Sequence, residues 1–229
     1  WSDFTSEELY RAGAKRGAVD PCFPSKLGIP HVHNLLMVKH AKKPLDAIFF
    51  PMIDDLPSDL VGCVGHRSCP TVATTPEAVK AAFTKESDLF AEAGIAYLDT
   101  FVNPGEPKLF ERQLLAEFEA RLGLTLAENA HAVAEGYRAL GRFMADQRER
   151  GAEVLRRLEA EDRLGIVLLG RPYHNDPGIS HVILEEFQKL GYPILSQASL
   201  LLELERLAQL FGADLAAGRV PEALSVADV

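Results

Sequence analysis

The chain has 229 residues, 47% hydrophobic and 25% charged, long enough to bury a core without disulfides or a structural metal. Its net charge of −9 argues against non-specific binding to nucleic acid, which needs a basic surface, and no apolar run is long enough to span a bilayer. Three cysteines are too few and too odd for a secreted disulfide framework, and no signal segment opens the chain, so the composition predicts a cytoplasmic protein without membrane or nucleic-acid partners.

The chain opens at Trp1 rather than Met and stops at Val229 without a final helix or strand, which reads as a piece of a longer protein. Thr5-Ser6-Glu7-Glu8 has the pattern of a capping box and predicts a short helix ending near Gly17. Ala18-Val19-Asp20 reads as an extended piece, followed by a turn at Pro21-Cys22-Phe23-Pro24, with Pro24 suited to the first position of a helix. Residues 25–40 carry apolar side chains at Leu27, Val32, Leu35 and Leu36, a helical spacing that Pro30 should kink or restart. The apolar run LDAIFFPMI at 45–53 predicts a buried parallel strand, and residues 54–69 a polar loop. A helix is expected from Thr75-Pro76-Glu77 to about Phe83, another over 85–92 closed by Gly94, and a strand over 95–100.

Residues 108–161 read as helix, rich in Ala, Leu, Glu and Arg and free of proline, with a break at Gly123-Leu124-Thr125. GIVLL at 165–169 predicts a strand, followed by a turn at 170–180, a helix over 179–190 closed by Gly191, a strand at 192–195 and a helix over 198–211. This alternation predicts an α/β fold of two Rossmann-like parallel-sheet lobes joined by a helical segment. The expected organisation is a first lobe over 1–107 that lacks its first strand, a helical connection over 108–162, and a second lobe over 163–229 truncated at its C-terminus.

The chemistry-bearing residues cluster around the cysteines. Cys22 precedes a helix, while Cys63 and Cys69 sit in the loop after the strand at 45–53, and loops after parallel strands gather at one edge, where ligands bind. Thiolates hold soft metals and clusters, and three of them leave one iron of a cluster open for substrate. On spacing alone three readings stand: an iron–sulfur cluster, zinc held by Cys22, Cys63, Cys69 and His66, or cysteines acting as small buried hydrophobes. His31 could hydrogen-bond a cluster beside Cys22, and Lys26 could offset its charge. His31 and His33, two apart on a helix, do not share a face and do not suggest a joint metal site. Asp54, Asp55 and Asp59 read as a solvated or helix-capping acidic group.

Gly170-Arg171-Pro172-Tyr173-His174-Asn175-Asp176-Pro177-Gly178-Ile179 follows a strand and is expected to open a helix, a position that turns backbone N–H groups toward an anion. Arg171 could add a fork of donors and His174 a proton; Gly170, Tyr173 and Asn175 complete a candidate anion or acyl-CoA site, and Asp176 could cap the helix. A purely structural turn is the competing reading. No G-x-G-x-x-G string predicts a dinucleotide, and no G-x-x-x-x-G-K-[ST] string predicts an ATPase.

Four strings together carry a resemblance. Val19-Asp20-Pro21-Cys22-Phe23-Pro24-Ser25-Lys26-Leu27-Gly28-Ile29-Pro30-His31, Ile48-Phe49-Phe50-Pro51, Ser68-Cys69-Pro70-Thr71-Val72 and Gly170–Ile179 resemble, in order and spacing, the uncharacterised CoA-enzyme-activase domain of the large fused activase proteins of the 2-hydroxyacyl-CoA dehydratase system. The resemblance implies kinship with the cluster-bearing dehydratase subunits, in which cysteines hold a [4Fe–4S] cluster between Rossmann-like lobes. It implies Cys22 and Cys69 as ligands, Cys63 as a third, and completion of the cluster by residues outside this chain. It also implies an ATPase activase module, in the same or a separate chain, that drives low-potential electron transfer to an acyl-CoA. The chain would then be one component of a lyase-type dehydratase or reductase system, inactive alone. A non-catalytic partner- or nucleotide-binding domain with structural cysteines and a zinc-binding regulatory domain are the alternatives.

Overall fold

The structure is a computed structural model that describes residues 1–16, 22–57, 67–180 and 182–200, with Ala213 and Ala217. The described chain is mixed α/β, with short parallel strand pairs and a large helical share. It divides into two compact units, one formed by Trp1–Pro57 with Arg67–Leu124, the other containing 125–200.

In the first unit, helix α1 (Glu7–Gly13) is capped by Ser6, whose hydroxyl accepts from the Leu9 N–H at 3.1 Å. The expected capping box therefore starts one residue later and loses its glutamate partner, because the Thr5 hydroxyl is engaged by His31 instead. The helix tightens into a 3₁₀ turn over Ala14–Arg16. The extended piece expected at 18–20 lies outside the described residues. Beyond it come α2 (Phe23–Lys26) and α3 (Gly28–Asn34), which runs through a π-helical segment Leu35–Lys39 into α4 (His40–Lys42). Pro30 stands in the first turn of α3, where its missing N–H costs no intrahelical bond; the expected restart is what is observed. Gly13 lets α1 lie directly on α3, since a Cβ there would stand 2.4 Å from the Pro30 Cα.

The apolar run forms β1 (Ala47–Phe49) and β2 (Met52–Ile53), and the next predicted strand forms β3 (Ala96–Leu98) and β4 (Phe101–Val102). β1 pairs with β3 from Ala47↔Ala96, and β2 with β4 from Met52↔Phe101, in one unbroken parallel register. The Phe50 N–H to Leu98 carbonyl (2.9 Å) and Met52 N–H to Thr100 carbonyl (3.1 Å) bonds carry the ladder across Pro51, which can donate none. Three helices connect the two arms: α5 (Pro70–Ala73), α6 (Thr75–Thr84) and α7 (Leu89–Glu92). The helix expected from 85 starts only at Leu89, because Asp88 accepts from the Phe90 and Ala91 N–H groups and so fixes the N-terminus.

Ile29, Val32, Leu36, Ile48, Val79, Phe83, Phe90 and Ile95 form the buried core of this unit. Phe90 stacks on Tyr97 at 4.5 Å and meets Phe83 at 5.5 Å. The Tyr97 hydroxyl donates to the Pro76 carbonyl at 3.0 Å, and burial pushes its pKa up. Helix α8 (Pro107–Leu122) closes over the ribbon, with Phe118 edge-on to Phe49 and Glu117 bonded to Thr100. It ends at Gly123, whose φ of +66° is the left-handed stop expected there.

In the second unit, α9 (Leu126–Ala160) begins with a complete capping box at Thr125 and Glu128. Strand β5 (Ile166–Leu168) pairs in parallel with β6 (Ile194–Ser196), and helix α10 (Ile183–Lys189) lies between them in sequence. Gly151 of α9 meets the 3₁₀ turn Gln197–Ser199 so closely that a Cβ would fall 1.9 Å from the Ser199 carbonyl oxygen. The helix expected over 198–211 lies almost wholly outside the described residues.

Candidate functional site

Two cysteine turns of the first unit share one local plan. Cys22 is the extended residue before α2, and Cys69 the extended residue before α5; each helix is one turn long and carries a proline in its first turn. A second helix follows each: α3 begins at Gly28 and α6 at Thr75, six residues past Cys22 and Cys69 respectively. These two starts touch. A Cβ at Gly28 would lie 3.1 Å from the Thr75 Cγ2, 2.9 Å from the Val79 Cγ2 and 3.3 Å from the Phe50 ring. If the six-residue tether were helical throughout, each cysteine would sit roughly 9 Å along the chain from that contact.

Cys69 is also tied to the strand end. The Ser68 N–H donates to the Asp54 carbonyl at 2.6 Å, its hydroxyl donates to the Ile53 carbonyl at 2.7 Å, and the Arg67 backbone pairs with that of Asp55. The Arg67–Asp55 link is an isolated antiparallel backbone bridge, so the loop returns to the C-terminal end of β2, the edge where open parallel sheets collect ligands. Cys22 is half-buried and Cys69 exposed, and neither thiol makes the capping hydrogen bond of its own helix. Cys63 and His66 lie outside the described residues. Among the described residues, no group of three or more His, Cys, Asp or Glu side chains is arranged to hold a metal ion.

Three buried polar atoms of this unit were not legible in the sequence. The Ser25 hydroxyl, one turn after Cys22, is buried without a partner among the described residues, and so are Oδ1 of Asp55 and Oδ1 of Asn103, just past the ends of β2 and β4. Asp55 is half-buried against Gly105, where a Cβ would stand 2.7 Å from its carboxyl carbon, rather than being a solvated loop acid. A serine in a proline turn and an aspartate in a polar loop carry no periodicity that would single them out.

His31 is turned away from a cluster role. Its Nδ1 lies 2.7 Å from the Ser2 hydroxyl and its Nε2 3.0 Å from the Thr5 hydroxyl, so both ring nitrogens tie the N-terminal segment to α3. His33 has no part in that arrangement. Its Nδ1 is buried without a partner among the described residues, and burial followed by the nearby Arg16 charge lowers its pKa below the usual imidazole value.

The 170–175 turn belongs to the second unit. Pro172–Asn175 forms a 3₁₀ turn, with the His174 N–H on the Arg171 carbonyl at 2.9 Å. The imidazole of His174 folds back over Gly170, where a Cβ would come 2.6 Å from its Nδ1, and its ring lies 4.5 Å from that of Tyr173. Arg171, His174 and Asn175 are exposed and Tyr173 half-buried. The turn does not open a helix directly. Asp176 accepts from the Gly178 N–H at 2.8 Å within the loop, and α10 starts only at Ile183, behind a left-handed Val182. The expected cap by Asp176 is thus replaced by a local turn, because its carboxylate is satisfied two residues on.

No described helix is long and apolar enough to cross a membrane. The model of one protein family, described as the CoA enzyme activase uncharacterised domain, matches residues 1–200. No curated protein and no solved structure matches the chain.

Proposed function

The chain belongs to the family of the CoA enzyme activase uncharacterised domain, and on that premise we propose that it is the cluster-carrying domain of a 2-hydroxyacyl-CoA dehydratase- or activase-type system. In this reading the thiolates of Cys22, Cys69 and Cys63 hold a [4Fe–4S] cluster that residues outside this chain complete. The observation that carries it is the matched pair of cysteine turns, each six residues ahead of one half of the Gly28–Thr75 contact. Soft thiolates suit iron, and the orphaned Ser25 hydroxyl is a donor of the right chemistry for a thiolate or sulfide.

When bound, such a cluster supplies one-electron transfer at low potential, with electrons delivered by an ATPase activase module in the same or a separate chain and passed to an acyl-CoA or a partner. The chain's own residues hold and orient. The proline turns present the cysteines at helix starts, and the Ser68 bonds hold the Cys69 loop to the strand end. In the second unit, Arg171 is a donor for a phosphate or carboxylate, while His174, beside Gly170, Tyr173 and Asn175, is a proton donor for an acyl-CoA. The two units are read as Rossmann-like lobes of a cytoplasmic protein.

Anaerobic reconstitution of the chain with iron and sulfide, followed by metal analysis and a visible spectrum, tests this. About four irons per chain with broad visible absorption, lost in Cys22→Ser and in Cys69→Ser, is the expected result. A full-length protein that takes up no iron, or takes zinc in its place, overturns it.

A further inference from the structure

The first unit holds a concavity away from the cysteine turns. It is a cavity of about 360 Å³ between the end of α1, the last turn of α3 and the α6–α7 junction. Sites for small organic ligands start at about 300 Å³, so one compact molecule fits. Its ionisable lining is Lys15, Arg16, His33, Lys85 and Glu86: three fixed cations against one carboxylate, in a chain whose net charge is −9. The single carboxylate is also compromised as a counter-ion, since Glu86 approaches Lys85 only at 4.0 Å and both side chains are largely exposed.

Two details set this cavity apart from a solvated basic surface. The Arg16 guanidinium is half-buried and held 5.5 Å above the centre of the Phe83 ring, itself part of the buried core, which orients the fork without an ion pair to any acid among the described residues. His33 contributes a buried Nδ1 that no group among the described residues satisfies. Buried polar atoms are nearly always hydrogen-bonded, so an unpartnered ring nitrogen beside the oriented Arg16 is a place where a bound group can supply the missing bond. The apolar remainder of the wall, Ala12, Ala82 and Leu89, would take the body of the molecule.

We infer that this cavity binds a small oxyanion, a phosphate or carboxylate carried on a compact body, gripped by Arg16, Lys15 and Lys85 with His33 as an additional donor. Arg16 supplies planar, bidentate donors, and the two lysines supply point charges at the rim. The inference does not rest on the cluster reading, since none of these residues belongs to the cysteine turns.

The test titrates the full 229-residue chain with inorganic pyrophosphate and, separately, with butyrate, following the ring signals of His33 by NMR. Saturable shifts with an apparent dissociation constant tighter than about 1 mM are expected for at least one of them. Pyrophosphate alone would identify a phosphate ligand, and butyrate alone a carboxylate. Arg16→Gln should weaken binding at least about tenfold, the loss of one charge-assisted bond, and Lys85→Gln, at an exposed site where folding is not at risk, should weaken it less and flatten its salt dependence. No saturable shift with either anion overturns the inference, as does binding that survives unchanged in both variants.

Discussion

Gly28 and Thr75 are packed so closely that no side chain fits between them: a Cβ on Gly28 would lie 3.1 Å from the Thr75 Cγ2 and 2.9 Å from the Val79 Cγ2. Val79 is 1% exposed and branched at Cβ, so it cannot swing aside. Gly28→Ala is therefore expected to destabilise the protein by about 1–3 kcal/mol, the usual cost of overpacking, in urea unfolding. If the cysteine turns hold the proposed cluster, reconstituted iron should fall along with stability. A variant as stable as the parent would show that the helices part without cost.

His33 sets an acid limb. Burial and the Arg16 charge lower its folded pKa below the ordinary 6.5, so in the window between the two values the unfolded chain binds more protons. Stability should rise with pH across that window and level off above 6.5. Lys15, Arg16, Lys85 and Glu86 line the same cavity and are the charged groups that face His33 there. His33→Gln should flatten the limb in thermal melts taken from pH 5 to 7, and an unchanged slope would assign it to another group.

Two glycines of α9 should respond in opposite directions. Gly151→Ala drives a methyl onto the Ser199 backbone, and rigid backbone cannot yield, so a loss of at least about 1–3 kcal/mol is expected for the second unit. Gly141 is exposed, with nothing within 4 Å of an added Cβ, and Gly141→Ala should add about 0.5–1 kcal/mol by helix propensity alone. Hydrogen-exchange protection of α9 amides reads both effects.

The capping box of α9 is separable from its packing. Thr125→Ala should cost about 0.5–2 kcal/mol in the same exchange experiment. Hydrogen bonds from the Thr125 backbone and hydroxyl hold Glu128 below its ordinary value of 4.5. Its contribution is thus complete above that value and is lost as pH falls through the folded one. Glu128→Gln should remove this acid sensitivity while leaving the start of the helix in place.

Read without coordinates, the chain determined its local elements wherever one residue type dominates the backbone: the helix break at Gly123, the restart of helix at Pro30, the apolar strand at 45–53 and the proline turn at Cys22, whereas the matching turn at Cys69 appeared only in the structure. Where several residues competed for one bond, only the fold decided. Ser6 took the cap that Thr5 was expected to hold because His31 draws the Thr5 hydroxyl, and Asp176 bonds within its own loop rather than opening α10. The contact of Gly28 with Thr75, the carboxylate of Asp55 against Gly105 and the basic cavity around His33 join residues far apart in the chain. No periodicity carries such pairings, because they are set by which helices pack against the ribbon and how closely, and packing is a property of surfaces that exist only once the chain has folded.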